Sequence, residues 1–261
     1  MASPAEALAA RFRLDGRIAL VVGAGRGIGR SVALALAGAG AELWLAARTR
    51  GEIDQVAAEI RAAGGHARAV ECDATDAASV ARVVAAIPAL DILVNSAGTN
   101  IPEPFVEVSE AHLDRMLAVN VRAAFFVAQA AAKKMLESPG RKARGGAIVN
   151  IGSQMGHVGA ENRTAYCMTK HAVEGLTKAL AVELAPHNIR VNTVAPTFIE
   201  TPLTAPMLAR PGFSEWVLSR IPIGRLGQVD EVASAVLFAV SPAASLMTGT
   251  SLVVDGGWTA R

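Results

Sequence analysis

The chain has 261 residues, 52% of them hydrophobic, and a formal net charge of +2. This much apolar side chain excludes a disordered polypeptide and is enough for one α/β core. The balanced charge gives no sign of nucleic-acid or membrane binding, and no uncharged apolar run reaches the length of a membrane span. The two cysteines, Cys72 and Cys167, have no metal-binding or redox spacing, which favours a reducing cytoplasm as the location.

The first apolar run, residues 17–22, predicts a strand, and the Ala/Leu-rich stretch 28–39 predicts the first helix. Between them, the glycines of Gly23-Ala24-Gly25-Arg26-Gly27-Ile28-Gly29 would let the backbone turn sharply and approach a pyrophosphate at the helix N-terminus. A glycine motif at this place is typical of dinucleotide-binding folds, although a tight strand-to-helix turn uses the same residues.

Strands and helices continue to alternate along the chain. Apolar runs predict strands at residues 43–46, 67–72 and 91–94, and amphipathic stretches predict helices at 53–63 and 77–87. This alternation indicates a parallel sheet. Arg48 follows the second strand, where dinucleotide-binding folds place an acidic residue for NAD or an arginine for the extra phosphate of NADP. Arg48, helped by Arg26, therefore favours NADP, unless Arg48 is merely solvated.

Small and polar residues follow the next two strands. Asp73 could accept a hydrogen bond from an adenine amino group, or it could cap the next loop. The segment Asn95-Ser96-Ala97-Gly98 suits close approach to a cofactor, and it equally fits a turn. Ser109 is predicted to cap a long helix to about residue 136, in which the polar Asn120 needs a partner. A helix irregularity or a catalytic water could provide that partner.

The densest basic group comprises Arg141, Lys142 and Arg144. Proline and glycine flank this group, which predicts a solvated surface loop rather than a polyanion site. Residues 147–151 predict a fifth strand, which brings Ser153 to the carboxyl edge where open α/β sheets place their sites. The histidines form no pair at helical spacing and no zinc motif, so we predict no catalytic metal.

Tyr166 and Lys170 stand four positions apart, just after Thr164, which is predicted to cap a helix that runs to about residue 185. On that helix the two side chains share one face. A neighbouring ammonium would lower the pKa of the phenol from its usual value near ~10, which favours acid/base chemistry. The simpler interpretation is a partly buried tyrosine beside a solvated lysine.

The last third of the chain changes character. Residues 189–195 predict a sixth strand, 229–240 a final helix and 251–254 a seventh strand. Residues 198–228 contain prolines and glycines among short apolar pieces, which predicts an irregular substrate lid. No repeat or linker marks a second domain, so we predict a single dinucleotide-binding oxidoreductase domain over residues 1–261.

Together these motifs resemble the short-chain dehydrogenase/reductase family, in its short single-domain branch, which includes 3-oxoacyl reductases and sugar and polyol dehydrogenases. The residues that carry the resemblance, over nearly the whole chain, are Gly23, Gly27, Gly29, Asp73, Asn95-Ser96-Ala97-Gly98, Asn120, Ser153, Tyr166, Lys170, Pro196 and Val254-Asp255-Gly256-Gly257. The resemblance implies a Rossmann-type, doubly wound, seven-stranded parallel sheet with helices on both faces. It also implies a nicotinamide cofactor and a homotetramer.

The resemblance further implies a role for each catalytic position. Tyr166 would donate the proton in carbonyl reduction, and Ser153 would hold the substrate oxygen. Lys170 would bind the nicotinamide ribose and depress the pKa of the tyrosine, while Asn120 would anchor a water that links Lys170 to solvent. The predicted cofactor-binding residues are Gly23, Gly25, Arg26, Gly27, Ile28, Gly29, Arg48, Asp73, Ala74, Asn95, Ala97, Gly98, Tyr166, Lys170, Pro196, Thr197, Ile199 and Thr201.

Four positions depart from the family pattern. Val22, Gly25, Ser96 and Thr197 stand where the family often has Thr, Ser, Asn and Gly. These changes affect cofactor contacts and the shape of the pocket, but they leave the proton-transfer residues intact.

We therefore predict an NADP(H)-dependent oxidoreductase that interconverts a ketone and a secondary alcohol of a small molecule, without nucleic-acid or membrane partners. An NAD(H)-dependent sugar or polyol dehydrogenase stays open, as does a non-catalytic nucleotide-sensing or scaffold protein. The intact set of Asn120, Ser153, Tyr166 and Lys170 argues against the non-catalytic alternative. The loop at residues 154–163 and the segment 198–228 are expected to determine the substrate.

Overall fold

Seven parallel strands form one sheet in the computed structural model, which describes residues 3–260. The strands are β1 (Ile18–Val22), β2 (Glu42–Ala47), β3 (His66–Glu71), β4 (Ile92–Asn95), β5 (Gly146–Ile151), β6 (Ile189–Pro196) and β7 (Ser251–Val254). Their order across the sheet is β3-β2-β1-β4-β5-β6-β7. The winding direction reverses between β1 and β4, and sheets of this kind bind ligands in the crevice outside such a switch point. The predicted seven-stranded parallel sheet is confirmed.

Helices connect the strands and cover both faces of the sheet. They are α1 (Pro4–Ala10), α2 (Gly27–Gly38), α3 (Arg50–Ala62), α4 (Ala77–Ala86), α5 (Glu110–Leu117), α6 (Ala123–Glu137), α7 (Arg141–Arg144), α8 (Thr164–Leu184), α9 (Ala205–Leu208), α10 (Phe213–Arg220) and α11 (Val229–Val240). The predicted helices lie within a few residues of these bounds. The helices α1, α7, α9 and α10 were not predicted.

The side chains of β1 divide the core into two layers because successive residues of a strand face opposite sides of the sheet. Ala19 and Val21 pack with buried residues of α2, α3 and α11. Leu20 and Val22 pack with buried residues of α4, α6 and α8. Both faces are therefore apolar and covered, which is why the central strands appear in the sequence as continuous apolar runs rather than alternating ones.

The long helix predicted after Ser109 is interrupted. The Ser109 side chain caps its start, as predicted, and accepts a hydrogen bond from the His112 amide at 3.2 Å. A π-helical turn at residues 118–122 then separates α5 from α6. Asn120 lies within this turn and is buried. The helix irregularity considered for Asn120 is therefore present.

The predicted cap of α8 is wrong. Thr164 is the first helical residue rather than the cap, and Arg163 occupies the capping position without a side-chain hydrogen bond to the helix. The Arg163 carbonyl instead accepts the Cys167 amide at 2.7 Å, so the backbone closes the first turn.

The predicted solvated loop is wrong for Arg141, whereas Lys142 and Arg144 are exposed as predicted. Arg141 lies in α7 and is only 5% exposed, and it forms an ion pair of 3.2 Å with Asp91, which is 1% exposed. Arg144 pairs with the same carboxylate at 2.6 Å. Asp91 lies 50 residues earlier in the chain, directly before β4, so the residues around Arg141 do not reveal this partner.

From residue 3 to residue 260, none of the helices is both long enough and apolar enough to cross a membrane. In that range, no group of three or more His, Cys, Asp and Glu side chains could hold a metal ion. Cys72 and Cys167 are both buried and free.

Candidate active site

A cleft at the carboxyl ends of the strands gathers most of the predicted site residues. It is lined by Gly23, Gly25, Arg26, Gly27, Ile28, Gly29, Arg48, Asp73, Ala74, Ala97, Gly98, Ser153, Tyr166, Lys170, Pro196, Thr197, Ile199 and Thr201. These residues come from the carboxyl ends of β1 to β6, the loops that follow them, and the first turns of α2 and α8, which the sheet brings together. Asn95 and Asn120, which were also predicted, do not line the cleft.

The glycine turn after β1 packs closely against its surroundings. Gly23 has a φ angle of +83°, and a Cβ atom there would lie 2.9 Å from the Ala97 amide nitrogen. A Cβ atom on Gly29 would overlap the carbonyl oxygen of Gly23. Glycine at both positions therefore permits the left-handed turn and brings α2 against it. The first turn of α2 opens onto the cleft, where its free amide groups suit a phosphate.

Ser153, Tyr166 and Lys170 meet on the opposite part of the wall. The Nζ atom of Lys170 lies 5.7 Å from the centre of the Tyr166 ring and donates a hydrogen bond of 2.8 Å to the Ile151 carbonyl. The hydroxyl of Ser153 accepts the Met155 amide at 3.1 Å and lies close enough to the phenol to lower its pKa. Lys170 is buried, with 5% of its surface exposed, so its amine is held in place rather than solvated.

Burial has the largest effect on the pKa values of Tyr166 and Lys170. It raises the pKa of Tyr166 to about 12, and the Ser153 hydroxyl opposes this effect only in part. The lowered phenol pKa predicted from the sequence is therefore wrong for this arrangement, because desolvation of the phenolate outweighs its polar neighbours. Burial also lowers the pKa of Lys170 to about 8, although the carboxylate of Glu174 raises it.

Asn120 lies behind the cleft and connects two of its walls. Its Oδ1 accepts the Thr99 amide and its Nδ2 donates to the Thr99 carbonyl, both at 2.8 Å. Nδ2 also donates to the Thr169 hydroxyl at 3.1 Å, and that hydroxyl donates to the Tyr166 carbonyl at 2.8 Å. The π turn thus fixes the loop after β4 against the part of α8 that carries Tyr166 and Lys170.

Comparison with known proteins agrees with this geometry. Residues 23–259 match the family model described as enoyl-(acyl carrier protein) reductase. The chain is 39% identical to L-xylulose reductase of Bos taurus, over 95% of this chain and 99% of that protein. It is 40% identical to D-threitol dehydrogenase of Mycolicibacterium smegmatis, over 96% of this chain and 95% of that protein. A gluconate 5-dehydrogenase from Burkholderia cenocepacia, in complex with NADP and tartrate, has a TM-score of 0.91 and 36% identity, with 97% of this chain and 99% of that chain covered.

The chain belongs to the short-chain dehydrogenase/reductase family. As a member of this family it is an NAD(P)-dependent enzyme that acts on CH–OH and C=O groups. The matches extend over nearly the full length of the relatives, so the family assignment does not depend on the glycine motif alone.

One end of the cleft of this short-chain dehydrogenase/reductase carries charged side chains. Arg48 is exposed and forms no salt bridge with any of residues 3–260. Arg26 lies 3.7 Å from a carboxylate oxygen of Glu52. Asp73 accepts hydrogen bonds from the Thr75 amide at 2.9 Å and hydroxyl at 2.7 Å, which hold the pKa of its carboxyl below the usual range. Asp73 therefore has the loop-capping role that the sequence left open, and it still lines the cleft.

The positions of Asn95 and Thr197 indicate how well the cleft fits a nicotinamide dinucleotide. Contrary to the prediction, Asn95 does not line the cleft. It is 4% exposed, and its side-chain amide donates to the Ala124 carbonyl of α6 at 3.4 Å. Thr197 does line the cleft, and its buried hydroxyl has no hydrogen-bond partner within the described chain. An unpartnered hydroxyl near Tyr166 and Lys170 fits a polar group such as a carboxamide. The residues present therefore fit the dinucleotide.

The cleft also contains residues that were not among the predicted catalytic and cofactor-binding residues. They are Val22, Ala47, Thr49, Glu52, Cys72, Thr75, Ser96, Thr99, Val119, Ile151, Gly152, Pro202, Leu203 and Thr204. Most are chain neighbours of predicted residues, so widening each motif by one or two positions would have found them. Glu52 and Val119 lie on helices whose orientation only the packing determines.

Proposed function

We propose that this protein is an NADP(H)-dependent oxidoreductase that interconverts a ketone and a secondary alcohol on a small, polyhydroxylated substrate. The observation that carries the proposal is that Ser153, Tyr166 and Lys170 share one cleft with the glycine turn of Gly23–Gly29. The substrate class is supported by the activities named for two relatives, L-xylulose reductase and D-threitol dehydrogenase.

In reduction, Ser153 holds the carbonyl oxygen of the substrate and Tyr166 donates a proton to it. The bound nicotinamide supplies the hydride. Lys170 binds the nicotinamide ribose, and Asn120 anchors a water that connects Lys170 to solvent. In support of the last step, a Cβ atom on Gly98 would lie 3.8 Å from the Lys170 amine and 3.6 Å from the Asn120 Oδ1. Both polar atoms therefore border the same stretch of backbone.

The raised pKa of Tyr166, at about 12, supports its role as an acid. A phenol with this pKa keeps its proton throughout the neutral range, so it is ready to protonate an alkoxide as it forms. The reverse reaction needs the phenolate. Positive charge beside the phenol would make that form accessible, and the Lys170 ammonium lies 5.7 Å from the centre of the ring.

The preference for NADP(H) follows from Arg48. It lies on the cleft wall after β2, at the position that recognises the adenosine ribose in this fold. It forms no salt bridge with any of residues 3–260, although its charge acts on the Asp73 carboxylate. A guanidinium without a partner is free to bind a phosphate, and such charged hydrogen bonds are stronger than neutral ones. An NAD-dependent enzyme carries an acidic side chain at this position, whereas this chain has the basic Arg48.

We expect Arg48→Ala to weaken NADPH binding by about 10- to 100-fold, the range for loss of hydrogen bonds to a charged group. NADH binding is expected to stay within about 2-fold because NADH lacks the phosphate. Fluorescence titration of each cofactor measures both values. Arg30→Ala provides the control, since Arg30 is ion-paired with Glu59 at 2.6 Å outside the cleft. Equal affinity of the wild-type protein for the two cofactors would favour the NAD(H)-dependent alternative.

We also propose how the chain is organised and where it acts. Residues 198–228, with α9 and α10, serve as the substrate lid of a single domain, supported by the position of Leu203 and Thr204 on the cleft wall. The subunits form a homotetramer, supported by the exposed apolar side chains of Phe125 on α6 and Met168 on α8. Light scattering is expected to give four chain masses, and a monomer would contradict this. The free cysteines support a cytoplasmic location.

A further inference from the structure

The loop between β5 and α8 ends in a buried cation that the reaction scheme above does not use. Arg163 is 6% exposed and directly precedes α8. The preceding Asn162 has a φ angle of +56°, a left-handed conformation that asparagine adopts more readily than most residues. This turn fixes the chain as it enters α8, and it places the guanidinium of Arg163 in the interior.

Most of the hydrogen-bonding capacity of Arg163 is unused. Its Nε atom is buried and has no partner among residues 3–260. Nη1 donates to the carbonyl of the adjacent Asn162 at 3.0 Å, and Nη2 lies 3.5 Å from the Met207 sulfur of α9. A thioether is only a weak acceptor. The guanidinium therefore has one strong acceptor for its five N–H donors.

Among residues 3–260, no acidic side chain compensates the charge of Arg163. The titratable groups that act on it are Arg210, Tyr166 and Cys167. Burial lowers the pKa of the Arg163 guanidinium, and the positive charge of Arg210 in the 198–228 lid lowers it further. Buried charges in proteins are ordinarily paired, because an unpaired one loses its hydration without compensation. Arg163 does not itself line the cleft, but an unpaired guanidinium whose charge acts on Tyr166 indicates a binding site for an anion beside the cleft.

The position of Arg163 limits which anion this is. Arg163 is the N-cap of α8 and Tyr166 is the third residue of that helix, and the charge of each group acts on the pKa of the other, so the guanidinium lies near the phenol. We propose that Arg163, assisted by Arg210, binds the carboxylate of a polyhydroxy acid whose ketone or secondary alcohol reacts at Tyr166. This inference rests on the proposed function and narrows its substrate class from neutral polyols to sugar acids.

The lid has a direct part in this proposal. A carboxylate matches the planar fork of a guanidinium and accepts two parallel hydrogen bonds. It would replace the Met207 sulfur as the partner of Nη2 and would supply the acceptor that Nε lacks. Because Met207 belongs to α9, binding of the acid group is coupled to a shift of the lid.

The test compares two ketones that differ only in the acid group. One is 5-keto-D-gluconate, and the other is L-sorbose, which carries CH₂OH in place of the carboxylate. NADPH oxidation with each is measured for the wild type, Arg163→Gln, Arg163→Lys and Arg11→Gln. Arg11→Gln removes the same charge from the exposed end of α1.

We expect wild-type kcat/KM to favour the keto acid by about 10-fold or more. Arg163→Gln is expected to abolish this preference mainly through KM, Arg163→Lys to restore part of it, and Arg11→Gln to keep it.

A second measurement separates anion binding from turnover. Calorimetric titration of D-gluconate into the NADP-saturated protein is expected to show binding to the wild type that Arg163→Gln weakens by about 10-fold or more. Equal binding to both proteins, no binding to the wild type, or a keto-acid preference that survives Arg163→Gln would overturn the proposal. Gluconate binding that depends on Arg163, without turnover of either ketone, would overturn the proposed function and leave the anion site standing.

Discussion

We expect Tyr166→Phe to lower kcat for ketone reduction by about 10²- to 10⁴-fold, the contribution typical of a positioned general acid. The substitution removes one hydroxyl and keeps the ring, so the packing of Cys167 and Phe198 in the same apolar cluster is retained. Without that hydroxyl, the alkoxide can take its proton only from water. Stopped assays with NADPH over a range of ketone concentrations give kcat directly.

The control for this substitution is the thermal unfolding midpoint, which is expected to match that of the wild type. Because Tyr166 is the single tyrosine of the chain, phenolate absorbance reports its pKa without interference from another phenol. We expect the wild type to ionise near pH 12 and the Phe variant to show no such transition. Full turnover by Tyr166→Phe would remove the tyrosine from the mechanism, and absence of turnover by the wild type with any ketone or alcohol would favour the non-catalytic alternative.

We expect Asp91→Ala to lower the free energy of unfolding by about 3–5 kcal/mol, the range for breaking a buried ion pair from one side. Asp91 is 1% exposed and accepts hydrogen bonds from Arg141, Arg144 and the Ile18 amide. The alanine would leave Arg141 buried without its counter-charge. Denaturant unfolding, followed by circular dichroism at one protein concentration, measures the change.

Asp15→Ala is the matched control, because Asp15 pairs with Arg13 at the surface and such exposed pairs contribute only about 0–1 kcal/mol. Burial tends to raise the pKa of Asp91, but the bonds from Arg144 and Ile18 and the charges of the two arginines outweigh it, so the pKa lies below the usual carboxyl range. The stabilisation is therefore complete above the usual carboxyl pKa and is lost as the pH falls through the lowered value. Equal destabilisation by the Asp15 and Asp91 variants would contradict this assignment.

The strands and the glycine turn were predictable because each depends on residues that are close in sequence. Strands buried on both faces appear as apolar runs, and the strand predicted at residues 43–46 differs from β2 only by its half-buried ends. The glycine turn was recognisable since its glycines fall between a strand and a helix, where the backbone needs them. The carboxyl edge of the sheet then placed Ser153, Tyr166 and Lys170 together without any further information.

Features that depend on distant partners were not predictable. Arg141 resembles a solvated surface residue until Asp91, 50 positions earlier, is brought beside it. The direction of the Tyr166 pKa shift depends on how completely the folded chain buries the phenol. The four-residue spacing between Tyr166 and Lys170 contains no information about that burial. From the sequence, Arg163 was only the end of a loop. The folded structure shows that its buried Nε has no hydrogen-bond acceptor among residues 3–260.

The π turn links the number of residues between α5 and α6 to the geometry of the active site. A π turn holds about one residue more than an α-helical turn, so the apolar face of α6 is offset by about 100° from that of α5. Met116 before the turn and Val127 after it are both buried, so the number of residues between them sets how the two helices face the core. Homologues that vary freely in loop length are therefore expected to conserve the spacing between these two positions. An insertion or deletion there would rotate one half of the helix away from the core and Asn120 away from Thr99.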